Sequence, residues 1–401
     1  MSDKFTGNFT QQEPIPEEGI EAALNVLRHG RLHRYNVAEG EAGEVALLEQ
    51  EFATYMGANY ALAVASGGYA ISTALRAVGV VAGDKVLTNA FTLAPVPGAI
   101  ASLGAVPVFV GVSDALTIDL SDLQRKITDS GAKVLLLSHM RGHICDMDAL
   151  MRICDAAGVQ VIEDCAHTMG ARWRGVLSGR HGVMAAYSTQ TYKHMNSGEG
   201  GLLVSDDATL MARAVMLSGS YMLYDRHLAG PPPEAFENLR YEVPNISGRM
   251  DNLRAAILRP QLRALGRQVA AWNERYSVVE KGLQGTPGLT VIERPEEEEY
   301  VGSSIQFLLL DWADEQIGAV LQRCAARGVE LKWFGGAEPS GFTSRYDSWR
   351  YAPTQSLPDS DRILKGILDM RLPLTFSLQD CEQIAGIIRD EIGVVNQQWA
   401  V

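Results

Sequence analysis

The chain has 401 residues, with 35 Lys plus Arg against 48 Asp plus Glu and a formal net charge of -13. That length suggests two or three lobes around one or two sizeable cores. The acidic balance and the lack of a basic block argue against nucleic-acid binding, which needs clustered Lys and Arg. A hydrophobic fraction of 46% argues against disorder. No apolar run reaches the ~18 residues expected of a membrane span, and MSDKFTGNFTQQEPIPEEG at the start does not read as a signal peptide. The five cysteines (Cys145, Cys154, Cys165, Cys324, Cys381) are an odd count without a CxxC pair. They imply reduced thiols in the cytoplasm and no structural metal site.

Residues 1–16, polar and Pro-bearing, read as an N-terminal arm. Residues 17–29 carry apolar groups at helical spacing and run into Gly30, a fitting C-cap. Short apolar runs follow at Ala61 to Ala65, Lys85 to Thr88, Val106 to Val110, Lys133 to Leu137 and Val159 to Ile162. Helix-like segments separate most of them, at Tyr69 to Val78, Ala94 to Leu103 and Met147 to Ala157. Such alternation implies βαβ units and a largely parallel sheet covered on both faces. Tyr187 to Ser188 and Gly201 to Val204 extend the sheet, and Ala208 to Met216 adds a helix. Leu228 to Pro244 reads as a loop. A long helix from Met250 to about Gly282 is expected to kink or split at Pro260. The C-terminal part reads as a smaller α/β domain: strands at Ile305 to Leu310 and near Val329, helices at Glu315 to Arg327, Ser360 to Met370 and Ser377 to Ile392. The expected division is arm 1–16, large domain 17–250, and linking helix with small domain 251–401.

Ligands of open α/β sheets sit beyond the carboxyl ends of the strands, so the residues following each strand are the candidates. After the first comes Ser66-Gly67-Gly68-Tyr69, opening a helix whose free amides can hold a phosphate. A tight connection alone would read the same way. After Val159 to Ile162 comes Glu163-Asp164-Cys165-Ala166-His167, where an acid can pair with a protonated ring nitrogen, or simply cap a loop. Then Ser188 precedes Lys193, between two sheet segments and before the glycine-rich turn Gly198-Glu199-Gly200-Gly201. A lysine there can be desolvated and made nucleophilic. A phosphate cradle, a ring-nitrogen acid and a nucleophilic amine are together what pyridoxal 5'-phosphate needs.

The segments SGGYAISTALRAVGVVAGDKV, GVQVIEDCAHTMGA, YSTQTYKHMNSGEGGLLVSDD and LDMRLPLTFS carry a resemblance to a known group. The chain resembles the DegT/DnrJ/EryC1/StrS (sugar aminotransferase) family of fold-type I pyridoxal-phosphate enzymes, from about Ala23 to Ile392. The resemblance implies an α/β fold with a large, mostly parallel-sheet domain and a smaller α/β C-terminal domain. It implies that Lys193 forms the cofactor aldimine and shuttles the proton, and that Asp164 pairs with the pyridine nitrogen. His167 would lie near the cofactor's 3-oxygen. Ser188 and the backbone amides of Gly68 and Tyr69 would bind the phosphate. Leu93 stands where relatives place a stacking aromatic, and Gly68 where they usually have Thr. An asparagine from a partner subunit, two residues before an arginine, usually completes the phosphate site. Here Asn245 lies four before Arg249, so either Asn245 or Ser247 takes that role.

The implied activity is amino transfer from an amino acid, glutamate or glutamine, to a keto-sugar, keto-cyclitol or similar ketone by a cytoplasmic homodimer. The alternatives are a lyase or cyclase using the same cofactor on a non-sugar substrate, and a non-catalytic homologue. Met140-Arg141-Gly142-His143, where relatives more often show Tyr-Gly, is expected to alter the pocket toward an acidic or non-sugar acceptor.

Overall fold

The computed structural model describes residues 4–399; the first three residues of the expected arm and the last two of the chain lie outside them. The chain begins with α1 Glu17–His29, α2 Glu44–Met56, β1 Tyr60–Val64, α3 Gly67–Ala77 and β2 Lys85–Asn89. It continues with α4 Pro95–Ser102, β3 Val106–Val110, α5 Leu120–Ser130, β4 Val134–Ser138, α6 Met147–Ala157 and β5 Gln160–Asp164. Two short strands, β6 Arg172–Trp173 and β7 Val176–Leu177, lead to β8 Met184–Ser188, β9 Gly201–Ser205 and α7 Ala208–Leu217. After α8 Leu239–Glu242 and α9 Asn252–Leu283 come β10 Thr290–Val291, β11 Glu298–Glu299 and β12 Ser304–Leu308. The chain closes with α10 Asp314–Ala326, β13 Lys332–Trp333, α11 Pro358–Lys365, β14 Ile367–Arg371 and α12 Leu378–Gln398.

Seven strands form one sheet in the order β1-β9-β8-β5-β4-β2-β3. The pairs β8-β5-β4-β2-β3 are parallel, while β9 runs antiparallel to both its neighbours. Strand β4 is buried at every position because helices cover both faces, which is why Val134 to Leu137 is an unbroken apolar run before Ser138 at the site edge. Ile71, Ile100 and Met211 pack on one face, and Phe52, Leu150 and Leu258 belong to the clusters on the other. The register sets Ser138 beside Asp164, Asp164 beside Ala186, and Ser188 beside Gly201. That alignment brings three strand ends to one edge, and the site is built there.

The second sheet, β10-β12-β14-β13, is antiparallel throughout and carries its own core. Phe5 and Phe9 of the N-terminal segment join that core, each edge-on to Phe376 at about 5 Å. A polar, Pro-bearing stretch thus hides two apolar anchors.

Three expectations change. Pro260 does not split the long helix, which runs unbroken for 32 residues. A proline removes one helical hydrogen bond and crowds the preceding turn. The bond it removes is the one to the Ala256 carbonyl, and the helix continues on either side of that single gap. The helix expected from Ser360 to Met370 is half strand: α11 ends before Gly366, and Ile367–Arg371 forms β14, pairing with β12 and β13. From Leu368 to Arg371 the run after Gly366 alternates apolar and polar residues, Leu-Asp-Met-Arg, which is the period of a strand rather than of a helix. The Leu228 to Pro244 loop contains a 3-10 turn at Pro233–Phe236 and the single-turn α8, because Phe236 and Leu239 bury against the large-sheet core.

Candidate active site

The β1–α3 connection supplies an anion cradle. Ser66 caps α3, its Oγ accepting from the Tyr69 amide at 3.1 Å. A Cβ on Gly67 would lie 2.7 Å from Ser188 Cβ, so only glycine lets the start of α3 reach the end of β8. The amides of Gly67 and Gly68 have no hydrogen-bond partner among the described residues, and Ser188 lines the same cavity. The cap engages the Tyr69 amide, while those of Gly67 and Gly68 are free at the start of α3, where a helix N-terminus offers its N–H groups to an anion. The Tyr69 hydroxyl lies 2.9 Å from the carbonyls of Leu217 and Ile246, outside the cavity, tying α3 to the 246–250 segment.

Asp164 ends β5, is 5% exposed, and lines the cavity. Its Oδ2 accepts from Ser138 Oγ at 3.0 Å, and its Oδ1 accepts from the Ala166 amide at 3.1 Å. Asn89 clamps Ser138 from behind, donating to its carbonyl at 2.8 Å and accepting its amide at 2.9 Å. Burial pushes the Asp164 carboxyl above the usual aspartate range, against the opposing pull of the Ala166 amide, Lys193 and Ser138. A cationic N–H from a ligand ring would relieve that penalty. The neighbouring Glu163 points the other way. It accepts from His139 Nε2 and the amides of Gly179, His181 and Gly182, which hold it down to about 2 despite burial. Those bonds fix the end of β5.

Lys193 sits in the loop between β8 and β9, with Nζ 2.9 Å from His167 Nε2. Burial and the charge of Arg141 push its ammonium down to about 7, with Asp164 opposing and Arg371 adding. His167 is held neutral by burial and by the Lys193 charge, and its Nε2 shares a hydrogen bond with the amine whose direction the ring tautomer sets. The amine is therefore largely deprotonated just above neutral pH, as a nucleophile requires. Reconstitution of the apo-protein with pyridoxal phosphate should accelerate as pH rises through about 7 and then level off. Stopped-flow absorbance checks this. A rate still climbing toward pH 10 would mean that the amine keeps its ordinary basicity.

These groups converge on one cavity of about 460 Å³, within the roughly 300–1,000 Å³ usual for small-molecule sites. Gly68, Leu93, Asp164, His167, Ser188 and Lys193 all line it. Tyr69 and Asn245 do not; Asn245 and Ser247 are both exposed and neither reaches the cavity of this chain. Sequence reasoning passed over Ser138 and Asn89, although Ser138 directly follows the expected strand Lys133 to Leu137. Arg371, within LDMRLPLTFS, also lines the cavity, and no pattern in the sequence assigns it there. The amide cradle with Ser188, the buried unpaired carboxyl and the depressed amine fit pyridoxal phosphate, whose phosphate, ring nitrogen and aldehyde call for those three groups.

The fold and this site define a fold-type I, pyridoxal-phosphate-dependent aminotransferase. The chain belongs to the DegT/DnrJ/EryC1/StrS aminotransferase family, whose sequence model matches residues 15–389. It is 34% identical over 285 residues to the dTDP-3-amino-3,4,6-trideoxy-alpha-D-glucose transaminase of Streptomyces venezuelae, covering 69% of this chain and 68% of that protein. It is 36% identical over 250 residues to the 3-amino-5-hydroxybenzoate synthase of Amycolatopsis mediterranei, covering 61% of each. A crystal structure of 3-amino-5-hydroxybenzoic acid synthase superposes with a TM-score of 0.83 at 26% identity, covering 96% of this chain and 99% of that one.

Proposed function

We propose that this aminotransferase moves the amino group of glutamate or glutamine onto the carbonyl carbon of a keto-sugar, keto-cyclitol or similar ring ketone. The observation that carries the reading is Lys193: a depressed amine 2.9 Å from a neutral His167, sharing one cavity with Asp164. Bound pyridoxal phosphate supplies an aldehyde and an electron-withdrawing ring that stabilises negative charge at the substrate carbon. Lys193 is the amine that engages the aldehyde, and, once displaced by substrate, the base that takes and returns the proton at that carbon. Asp164, held by Ser138 and the Ala166 amide, keeps the ring nitrogen protonated. Ser188 and the amides of Gly67 and Gly68 hold the phosphate. Leu93 covers a ring face by dispersion only, without the roughly 0.5–1.5 kcal/mol that aromatic pairing adds. His167, with Nε2 2.9 Å from the Lys193 amine, would face the cofactor's 3-oxygen.

The working unit in this reading is a homodimer. An exposed group comprising Tyr221, Met222 and Ile246 flanks Asn245 and Ser247. One of those two side chains would complete the phosphate site of a partner subunit. Residues 1–16 serve as an arm, 17–250 as the cofactor domain, and 251–401 as the linking helix with the small domain. The seven-stranded sheet lies within 17–250 and the four-stranded sheet within 251–401, which supports that division, while a third sheet, β11-β6-β7, spans it. We assign the protein to the cytoplasm: all five cysteines are free and buried, and among the described residues no helix is long and apolar enough to cross a membrane.

Holoenzyme mixed with glutamate or glutamine alone should convert to the pyridoxamine form within one turnover, and a ring ketone should reverse the change. Absorbance spectra with product analysis by mass spectrometry test this. Conversion by neither amino acid would overturn the donor assignment, and a pyridoxamine form that no ring ketone reoxidises would overturn the acceptor class.

A further inference from the structure

Lys193 borders more than the cofactor cavity. Two smaller pockets, of about 30 and 40 Å³, also reach it, and Lys193 is the one described residue that lines all three. The first adjoins the cofactor cavity through Arg141, His167 and Tyr192, while the second shares only Lys193 with it. Each has room for water, which needs roughly 10–15 Å³ of free space. Gln12 and Trp272 line both small pockets and so stand between them.

The wall of the second pocket is polar where an inward helix face is ordinarily apolar. Helix α9 turns Gln261, Gln268 and Trp272 toward it, positions i, i+7 and i+11 of one face. Gln261 is engaged: its Oε1 accepts from the Asn196 amide at 2.7 Å, and its Nε2 donates to the Asn196 carbonyl at 2.8 Å. The Gln268 Oε1 is buried without a hydrogen-bond partner among the described residues. His194, next to Lys193 and 3% exposed, lines the same pocket. Its Nε2 lies 3.1 Å from Ser303 Oγ, and its Nδ1 is buried without a partner among the described residues. Unpaired buried polar atoms are destabilising, and bound water is what ordinarily satisfies them. The N-terminal segment closes the far side. Gln12, Pro14 and Pro16 line the pocket there, between Phe9 in the second core and the start of α1. Glu13 and Pro14 are exposed, so this pocket ends at solvent.

We propose that these two pockets hold the water through which Lys193 exchanges protons with solvent while cofactor and substrate occupy the main cavity. The inference rests on the reading of Lys193 as the reacting amine. In the transfer, Lys193 takes a proton from the substrate carbon and becomes an ammonium. That ammonium gives one proton to an adjoining water and receives another from it. Charge and proton count are unchanged, and no further reactant is required. The depressed basicity of Lys193 eases the hand-over to water. His194 and Gln268 act through the water they hold, as positioning residues.

Glutamate and glutamine deuterated at Cα report the exchange in a single half-reaction of the holoenzyme in ordinary water. An ammonium sealed from water would return the label at most roughly one time in three, since its three hydrogens compete. With the route open, mass spectrometry of the resulting pyridoxamine phosphate should find almost no deuterium. Q12F sets an apolar ring at the residue common to both small pockets and should raise the retained label several-fold. Q268L, which deletes the unpaired oxygen from the α9 wall, should act in the same direction and serves if Q12F does not fold. A merely structural disturbance would change the rate of the half-reaction without changing where the label goes. Crystals of the holoenzyme should show ordered water in both pockets, within hydrogen-bond reach of His194 Nδ1 or Gln268 Oε1. Dry pockets, or a folded variant that retains no more label than wild type, would overturn the proposal. If neither amino acid converts the holoenzyme, the donor reading fails, and the crystal waters alone decide this one.

Discussion

Lys193→Ala is expected to lower amino transfer by about 10⁴-fold or more, since it removes both the nucleophile and the proton carrier. The loss should fall on kcat as well as on kcat/KM, and the visible band of the bound cofactor should change with it. Stability should change little in the apo-protein, because the ammonium that the substitution deletes is itself penalised by burial and by Arg141. Steady-state rates, absorbance and thermal unfolding of the same preparations check all three. A variant with wild-type spectrum and turnover would place the reacting amine elsewhere.

Asp164→Asn should produce opposite signs in the two forms of the protein. In the apo-form burial outweighs the pull of Lys193 on the carboxyl, and its folded-state pKa is raised. A raised acid pKa means that the folded chain binds the proton more tightly than the unfolded chain. Stability contributed by that proton is therefore present below the ordinary aspartate range and lost as pH climbs through the raised value. The asparagine keeps the shape without the charge, so the apo-variant should be as stable as wild type at pH 7, or more so. In the holo-form the variant leaves a ring nitrogen without its anion. Turnover should fall by about 10²- to 10³-fold, the scale seen when one preorganised electrostatic partner is removed. The gap in melting temperature between holo- and apo-protein should shrink. Melting curves of both forms from pH 5 to 8 check the sign. A variant less stable than wild type in the apo-form, with an unchanged gap, would contradict the pairing role.

How much of this was legible in the chain follows from what each residue's signal depends on. Asp164, Ser188 and Lys193 were accessible because parallel strands present their ligands just past their carboxyl ends, and those strands are short apolar runs. The same rule reaches Ser138, one residue past an expected strand, but a lone serine carries no chemistry until Asp164 is seen 3.0 Å away. Asn89 acts only through Ser138 and has no signal of its own. The Tyr69 amide bonds to the Ser66 cap, and a cap competes with a ligand for the same first-turn N–H groups, a competition that no local pattern in the sequence contains. Arg371 was hidden by the misread helix. Once Ser360 to Met370 is taken as helical, nothing directs residue 371 toward the cavity. The antiparallel pairing of β14 with β12 sets its end there, and long-range pairing is what a local pattern does not contain.

The account turns on one covalent assignment. Reduction of the reconstituted holoenzyme with borohydride, followed by peptide mapping with mass spectrometry, tests it directly. The phosphopyridoxyl group should appear on Lys193 alone. Label on another lysine, or a fully active holoenzyme in which Lys193 carries none, would contradict it.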